Sequence, residues 1–262
     1  MSLVQVEAGT EADDGVAIVR LANPPVNALS NGLLDELGAA VESLRSGDLP
    51  KALVVWGGET VFAAGADVEE FRPVSSDRAR GVAKTFRAAL DTLADFPRPT
   101  IAAICGYALG GGLEVALACD FRVCGDNSRL GFPEIQLGII PGAGGTQRAS
   151  RLVGPAKAKD LIFSGRHVRA QEALEMGLVD RIAGPDDVFA DARTWAEKLG
   201  AGAVAAMGEA KAAIDEGLDS TLAGGLDIEA DHFAAVHDTD DAHHGIDSFV
   251  ENGPGKATFE GR

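Results

Sequence analysis

The chain has 262 residues, of which 46% are hydrophobic, and it carries a formal net charge of −17. The apolar share is enough for the core of one large folded domain or of a domain with an appendage. The negative charge argues against nucleic acid and anionic membranes as partners, and no apolar run reaches the roughly 18 residues that a membrane-spanning helix needs.

The first half of the chain alternates short β-prone runs with amphipathic segments. Ser30 is a predicted helix N-cap, and the apolar positions after it share one helical face. A second helix is predicted to end before Pro97. Strands are predicted at residues 16–21, 53–56 and 100–105. Alternating strands and helices predict a parallel sheet with crossover helices.

The second half of the chain is predicted to be mainly helical. From about residue 155 the β-prone runs nearly vanish, and alanine-rich segments follow at residues 186–199, 203–216, 218–236 and 241–251. Many alanines with few large apolar side chains indicate close helix packing, within the chain or against another subunit.

A glycine-rich loop, GYALGGGLE at residues 106–114, precedes a helix predicted at residues 115–119. Glycines at a helix start leave backbone N–H groups open, and the helix dipole adds positive potential, so this loop can receive negative charge. A tight turn in which glycine only permits close packing explains the pattern equally well. A second loop of small residues, FAAGAD at residues 62–67, could add an N–H group to the same oxyanion.

Two glutamates lie close to these loops in the sequence. Glu114 is near the start of its helix, and Glu134 lies in the apolar loop GFPEIQLG, stiffened by Pro133. Apolar neighbours raise the pKa of a carboxyl group, whereas a helix start favours its ionised form. The pair could therefore act as acid and base. Each residue also has an ordinary interpretation, as a first-turn helix charge and as a surface loop residue.

Four segments, in this order, resemble the enoyl-CoA hydratase (crotonase) family: PPVNAL at 24–29, FAAGAD at 62–67, GYALGGGLE at 106–114 and PEIQLGIIPGAGGTQR at 133–148. The resemblance covers about residues 5–262. It implies an α/β fold, with a crotonase-like spiral of repeated β-β-α units over residues 1–200 that binds CoA and carries out catalysis. Residues 201–262 would form a C-terminal helical trimerisation region that completes the active site.

The resemblance also implies a site and a reaction. The backbone N–H groups of Ala66 and Gly111 would form an oxyanion hole for the carbonyl of an acyl-CoA thioester. Glu114 and Glu134 match the glutamates that add water across the 2,3 double bond of enoyl-CoA, giving 3-hydroxyacyl-CoA in fatty-acid β-oxidation. Which glutamate is acid and which is base stays open. CoA contacts are implied at Ala28, Ala64, Ala66, Asp67, Val68 and Gly111.

Related activities fit the same motifs. A Δ3,Δ2-enoyl-CoA isomerase can work with one carboxylate, so the presence of both glutamates favours a hydratase. Another crotonase-family acyl-CoA lyase or hydrolase is a further alternative. A non-catalytic acyl-CoA binder or an RNA-binding relative is disfavoured by the net charge of −17 and by both acids. The resemblance implies no metal, no cofactor beyond the CoA of the substrate, and a homotrimer or a dimer of trimers.

The remaining candidates are interpreted as structural. Cys105, Cys119 and Cys124 lie in apolar stretches without C-x-x-C spacing, so we predict reduced core cysteines in a cytoplasmic protein. Arg148 is expected to make a structural or subunit contact. The run GAGG at residues 142–145 lacks a full G-x-G-x-x-G pattern and its preceding strand, so no dinucleotide site is predicted.

Overall fold

The computed structural model describes residues 2–9, 15–67 and 75–262, and a mixed β-sheet forms its centre. The strands in this part of the chain are β1 Val4–Glu7, β2 Val16–Leu21, β3 Ala52–Trp56, β4 Thr100–Ile104, β5 Tyr107–Leu109, β6 Phe121–Gly125, β7 Arg129–Gly131, β8 His167–Arg169 and β9 Arg181–Ala183. The main sheet has the order β1-β2-β3-β4-β6-β9, and a smaller sheet has the order β5-β7-β8.

Helices connect and cover these strands. In the described ranges they are α1 Asn31–Ser46, α2 Ser76–Ala94, α3 Gly111–Leu117, α4 Gly145–Val153, α5 Pro155–Ser164, α6 Ala170–Met176, α7 Val188–Gly200, α8 Val204–Leu218, α9 Leu222–Val236 and α10 Asp240–Asn252. A short 3₁₀ helix, Pro133–Leu137, lies between β7 and α4. Of the helices described, none is long and apolar enough to cross a bilayer.

The predicted parallel sheet is confirmed for its central strands. β2, β3, β4, β6 and β9 pair in parallel, with α1 and α2 as crossovers between β2, β3 and β4. β1, which the sequence reasoning did not predict, adds an antiparallel edge strand. The five-residue strand β6 was also missed, and so were the three-residue strands β5, β7, β8 and β9, because so short a run carries no clear alternation.

The main sheet separates two apolar cores. Successive residues of a strand point to opposite faces, so Leu53 and Val55 pack with α1 and α2, whereas Ala52 and Val54 pack with α7. The predicted N-cap of α1 is confirmed, because the Ser30 side chain accepts a hydrogen bond from the N–H of Leu33. All five predicted apolar positions of this helix are buried: Leu33, Leu34, Leu37, Val41 and Leu44.

The helices α8, α9 and α10 differ from the other helices in the apolar surface that they expose. They confirm the predicted helical segments within a few residues, yet they expose many large apolar side chains. The exposed ones are Ile214, Leu218, Leu222, Leu226, Phe233, Ile246, Phe249 and Val250. An ion pair between Lys211 Nζ and Asp120 Oδ1, at 2.9 Å, joins α8 to the core. The division of the chain at residue 200 stays a prediction.

The three cysteines are buried and free, as predicted for core residues. Burial raises the pKa of Cys105, and it raises the pKa of Cys119 and of Cys124 to about 12. Because the thiolate is the reactive form of cysteine, these side chains are unreactive packing groups.

Candidate active site

The glycine-rich segment turns sharply from β5 into α3. Gly110 is the N-cap with φ +52°, and a Cβ on Gly112 would lie 2.2 Å from the carbonyl oxygen of Ala63. Both positions therefore exclude side chains. The helix begins at Gly111 rather than at residue 115. Glycine has a low helix propensity, but packing against the 62–67 loop holds this backbone in the helical conformation.

The N–H groups of Ala66 and Gly111 lie side by side. Ala66 forms a parallel bridge with Leu29, in which Leu29 N–H donates to Gly65 and Asp67 N–H donates to Leu29, both at 2.9 Å. This pairing directs the N–H of Ala66 away from Leu29. A Cβ on Gly111 would lie 3.7 Å from the nitrogen of Ala66. Neither N–H donates a hydrogen bond within the described ranges, so together they can stabilise negative charge on one oxygen.

Glu114 lies in the first turn of α3 and is only 3% exposed. Its Oε1 accepts hydrogen bonds from the N–H groups of Ala143 at 2.8 Å and Gly145 at 2.7 Å. Burial raises the pKa of Glu114, while the two N–H bonds and the charge of Arg148 oppose that rise. Because both donors bind Oε1, Oε2 is the oxygen that can take up a proton.

Glu134 reaches the site from the 3₁₀ helix, a segment that the sequence reasoning treated as a loop. Its Oε2 is buried and has no hydrogen-bond partner among the described residues. Burial raises the pKa of Glu134 to about 7, and the charge of Glu114 adds to the rise. A Cβ on Gly110 would lie 2.8 Å from its Oε1, so the carboxyl group packs against the start of α3.

The structure thus brings the four main predicted site residues together around the start of α3. The other predicted CoA-binding residues in the described ranges border the same loops: Ala28, Ala64 and Asp67. The N–H of Ala64 donates to the carbonyl of Val26 at 3.0 Å. Val68 lies outside the described residues.

The sequence reasoning missed the two donors to Glu114. Ala143 and Gly145 belong to the GAGG run, which was weighed only as a fragment of a dinucleotide fingerprint. The available signal was the same as at residues 110–112, namely small residues before a helix. Since α4 begins at Gly145, its open N–H groups and its dipole face a carboxylate.

The fold and the site define an α/β protein with two adjacent open N–H groups flanked by two carboxyl groups of unequal environment. Such a site can stabilise an oxyanion while protons move on either side of it.

Comparison with known proteins identifies the family. The family model for enoyl-CoA hydratase/isomerase matches residues 11–262. The chain is 43% identical over 213 residues to "Probable enoyl-CoA hydratase EchA17" of Mycobacterium tuberculosis, covering 81% of each chain. It is 40% identical over 253 residues to "Probable enoyl-CoA hydratase" of Rhizobium meliloti, covering 96% of this chain and 97% of that one.

A solved structure agrees with these relatives. The crystal structure of an enoyl-CoA hydratase from Bacillus anthracis matches with a TM-score of 0.90 and 35% identity, covering 99% of this chain and 100% of that one. The chain belongs to the enoyl-CoA hydratase/isomerase family. The predicted resemblance, the crotonase fold and the enzyme class are confirmed.

Proposed function

We propose that the chain is an enoyl-CoA hydratase that adds water across the 2,3 double bond of enoyl-CoA thioesters. The observation that carries the proposal is the contrast between its two acids. Glu114 is buried and its Oε1 accepts two N–H donors, which oppose the rise of its pKa, whereas Glu134 is half-buried, its Oε2 has no partner among the described residues, and burial raises its pKa to about 7. The names of the relatives at 40–43% identity support the same reaction. Fatty-acid β-oxidation is the proposed setting.

In this proposal the thioester carbonyl oxygen lies between the N–H groups of Ala66 and Gly111. Their hydrogen bonds draw electron density from the double bond and make C3 electrophilic. The oxygen of water attacks C3, and the electron pair of the double bond moves to give an enolate whose charge lies on the thioester oxygen. A single N–H donor of this kind contributes on the order of 10²–10³ in rate.

The two glutamates then move the protons in opposite directions. Glu114, through Oε2, takes a proton from the attacking water, and Glu134 gives its proton to C2. The enolate collapses to the thioester, so one water has been added and the two glutamates have exchanged protonation states. Return of a proton from Glu114 to Glu134 resets the site, since the two groups are coupled.

Backbone groups near Ala28, Ala64, Asp67 and Val68 are the proposed contacts for CoA. Hydration changes no oxidation state of the substrate as a whole, so the proposal includes no cofactor beyond the CoA that the substrate carries. The cytoplasm remains the proposed location, because a reducing compartment suits three unpaired thiols.

A homotrimer or a dimer of trimers is part of the same proposal. The support is the exposed apolar surface of α8, α9 and α10, where Leu222 is 82% exposed and Val250 is 78% exposed. Large contiguous apolar patches are uncommon on monomers and mark surfaces that bind another chain.

The proposed reaction is tested with purified protein and crotonyl-CoA. We expect the absorbance of the conjugated enoyl thioester to disappear and 3-hydroxybutyryl-CoA to form. A series of longer 2-enoyl-CoAs gives the chain-length preference, and a 3-enoyl-CoA tested alongside reveals isomerase activity. Failure to hydrate any 2-enoyl-CoA, short or long, would overturn the proposed function.

A further inference from the structure

The orientation of Glu114 depends on a backbone segment that is itself held by side chains. Ala143 donates its N–H to Glu114 Oε1 at 2.8 Å. The carbonyl of the same residue accepts a hydrogen bond from Arg148 Nη1 at 3.1 Å. The backbone of one residue therefore connects the guanidinium group of Arg148 to the carboxylate of Glu114.

The other end of the guanidinium group is also held. Arg148 Nη2 donates to Asp91 Oδ1 at 2.8 Å, and the second oxygen of Asp91 accepts from Arg87 Nε at 2.8 Å. The side chain of Arg148 is 22% exposed, and that of Asp91 is 36% exposed. Because guanidinium is planar and rigid, its bond to Asp91 on α2 limits where its bond to Ala143 can lie.

Arg148 also packs directly on the turn that carries the donors. A Cβ on Gly144 would lie 2.3 Å from Arg148 Nη1, so the guanidinium group rests on bare backbone between Ala143 and Gly145. Gly144 has φ +115°, a conformation that suits glycine. Asp91, Arg148 and residues 143–145 thus form a continuous chain of contacts that ends at Glu114 Oε1.

We propose that Arg148, anchored by Asp91, is a positioning residue for Glu114: it holds residues 143–145 so that their N–H groups bind Oε1 and leave Oε2 for the water. The inference rests on the proposed function, in which Glu114 receives a proton from that water. It goes beyond the structural role that the sequence reasoning gave to Arg148, because a role in stability alone would leave turnover and its pH dependence unchanged.

Two consequences of losing Arg148 follow from physical chemistry. A displacement of about 1 Å in a catalytic group can lower the rate about 10²-fold. The positive charge of Arg148 lowers the pKa of Glu114, so its removal raises that pKa. The rate that depends on ionised Glu114 is then lost at a higher pH than in the unmodified protein.

The first test compares Arg148→Met with Arg151→Met. Arg151 lies on the same helix, is 51% exposed, and pairs with Asp219 at 3.2 Å, so it is a matched control. For crotonyl-CoA hydration by Arg148→Met, we expect kcat to fall about 10²-fold with KM within about threefold of the unmodified value. We also expect the acidic limb of kcat/KM to move to higher pH. In Arg151→Met, kcat and the position of the acidic limb should both match those of the unmodified protein.

Variants of the anchor keep the inference testable if Arg148→Met does not fold. Asp91→Asn retains an acceptor oxygen and should keep kcat within about fivefold, whereas Asp91→Leu removes it and should approach the loss of about 10²-fold. Arg148→Lys, a point charge that cannot make both bonds, should also lose turnover. Unchanged kcat and an unchanged acidic limb in Arg148→Lys and Asp91→Leu would overturn the inference.

Amide hydrogen exchange at residues 143 and 145 separates this inference from the proposed function, since it needs no substrate. We expect faster exchange in Arg148→Met and Asp91→Leu than in the unmodified protein or Arg151→Met. If exchange changes in this way but the unmodified protein hydrates no enoyl-CoA, the hydratase proposal fails and the support of residues 143–145 by Arg148 stands. If the protein is active and the variants alter neither kcat nor exchange, the positioning role fails.

Discussion

The segments that carry Glu114 and Glu134 differ in almost every respect, although they meet at the start of α3. Glu114 belongs to a buried helix, and backbone N–H groups 29 and 31 residues further along the chain hold its Oε1. Glu134 belongs to a 3₁₀ helix whose neighbouring side chains are exposed, and its Oε2 has no partner in the described ranges. Burial raises the pKa of both acids, but at Glu114 the two N–H donors and Arg148 oppose the rise, whereas no donor among the described residues binds Oε2 of Glu134.

The two supports also differ in strength. Asp91 and Arg148 brace the donors to Glu114 with hydrogen bonds of 2.8 and 3.1 Å. The 3₁₀ helix is tied to the end of α5 by one bond, from Gln136 Nε2 to the carbonyl of Gly165 at 3.1 Å. We infer that the position of Glu114 is fixed more firmly than that of Glu134.

The sharpest test of this contrast replaces each acid by its amide. In Glu114→Gln, the amide oxygen can still accept both N–H bonds while the base is lost, so we expect kcat to fall by about 10³–10⁴. In Glu134→Gln we expect a smaller fall, of at least about 10². Glu175→Gln, on the exposed face of α6, is the control and should keep the kcat of the unmodified protein.

Binding and turnover must be measured together in these variants. Binding of a non-reacting CoA thioester, followed by calorimetry, should persist in both amide variants. A near-normal rate in Glu134→Gln would remove that residue from the mechanism, and a larger loss there than in Glu114→Gln would reverse the comparison.

The pH dependence of kcat/KM offers a second test. Burial raises the pKa of Glu134 to about 7 from 4.5, so its proton is present below that pH and is lost above it. Because Glu134 must donate this proton to C2, we expect kcat/KM to decline above pH about 7, approaching tenfold per pH unit. The residual rate of Glu134→Gln should lack this basic limb. A constant kcat/KM up to pH about 9 would contradict the assignment.

The smallest expected effect concerns the support of the 3₁₀ helix. Gln136→Ala removes one side-chain hydrogen bond, worth roughly 0.5–1.5 kcal/mol, and we expect kcat to fall about threefold to tenfold. The basic limb should move to lower pH, because a looser segment admits water to Glu134. Gln171→Ala, which removes the exposed side-chain bond to Glu175 on α6, is the control. Equal kcat and equal pH profiles in the two variants would show that Gln136 gives no such support.

Local patterns predicted α1, α2, the four helices from α7 to α10 and the strands β2, β3 and β4, because their causes are local. The strand β6 and the helices α4, α5 and α6 were not predicted. Ser30 and the spacing of five apolar residues specified α1, and each feature is confirmed. The start of α3 was placed too late, since glycine propensity is local whereas the contact of Gly112 with Ala63 is not. β1 and the three-residue strands depend on pairing with distant segments, and the local hydrophobic pattern does not predict such pairing.

The site divides in the same way. The small-residue loops predicted open N–H groups, and the apolar neighbours of Glu134 predicted its raised pKa, as found. The two N–H donors to the Glu114 carboxylate could not be predicted, because Ala143 and Gly145 reach Glu114 only once α3 and α4 have packed together. Arg148 was correctly placed among structural contacts, but its connection to Glu114 is visible only in three dimensions.

The site contains positions that exclude a side chain, Gly110 and Gly112, and a segment beginning with the 3₁₀ helix whose side chains are exposed. This difference decides which residues can be varied in a redesign of the enzyme. Any side chain at Gly112 would meet backbone at 2.2 Å, and one at Gly110 would meet Glu134 and an unfavourable φ. Gly110 and Gly112 should therefore be left unchanged in a mutational library. The side chains of Ile135, Leu137, Ile139 and Ile140, which follow Glu134 in the chain, are exposed and belong to neither apolar core. New substrate preferences are best sought by varying those four residues.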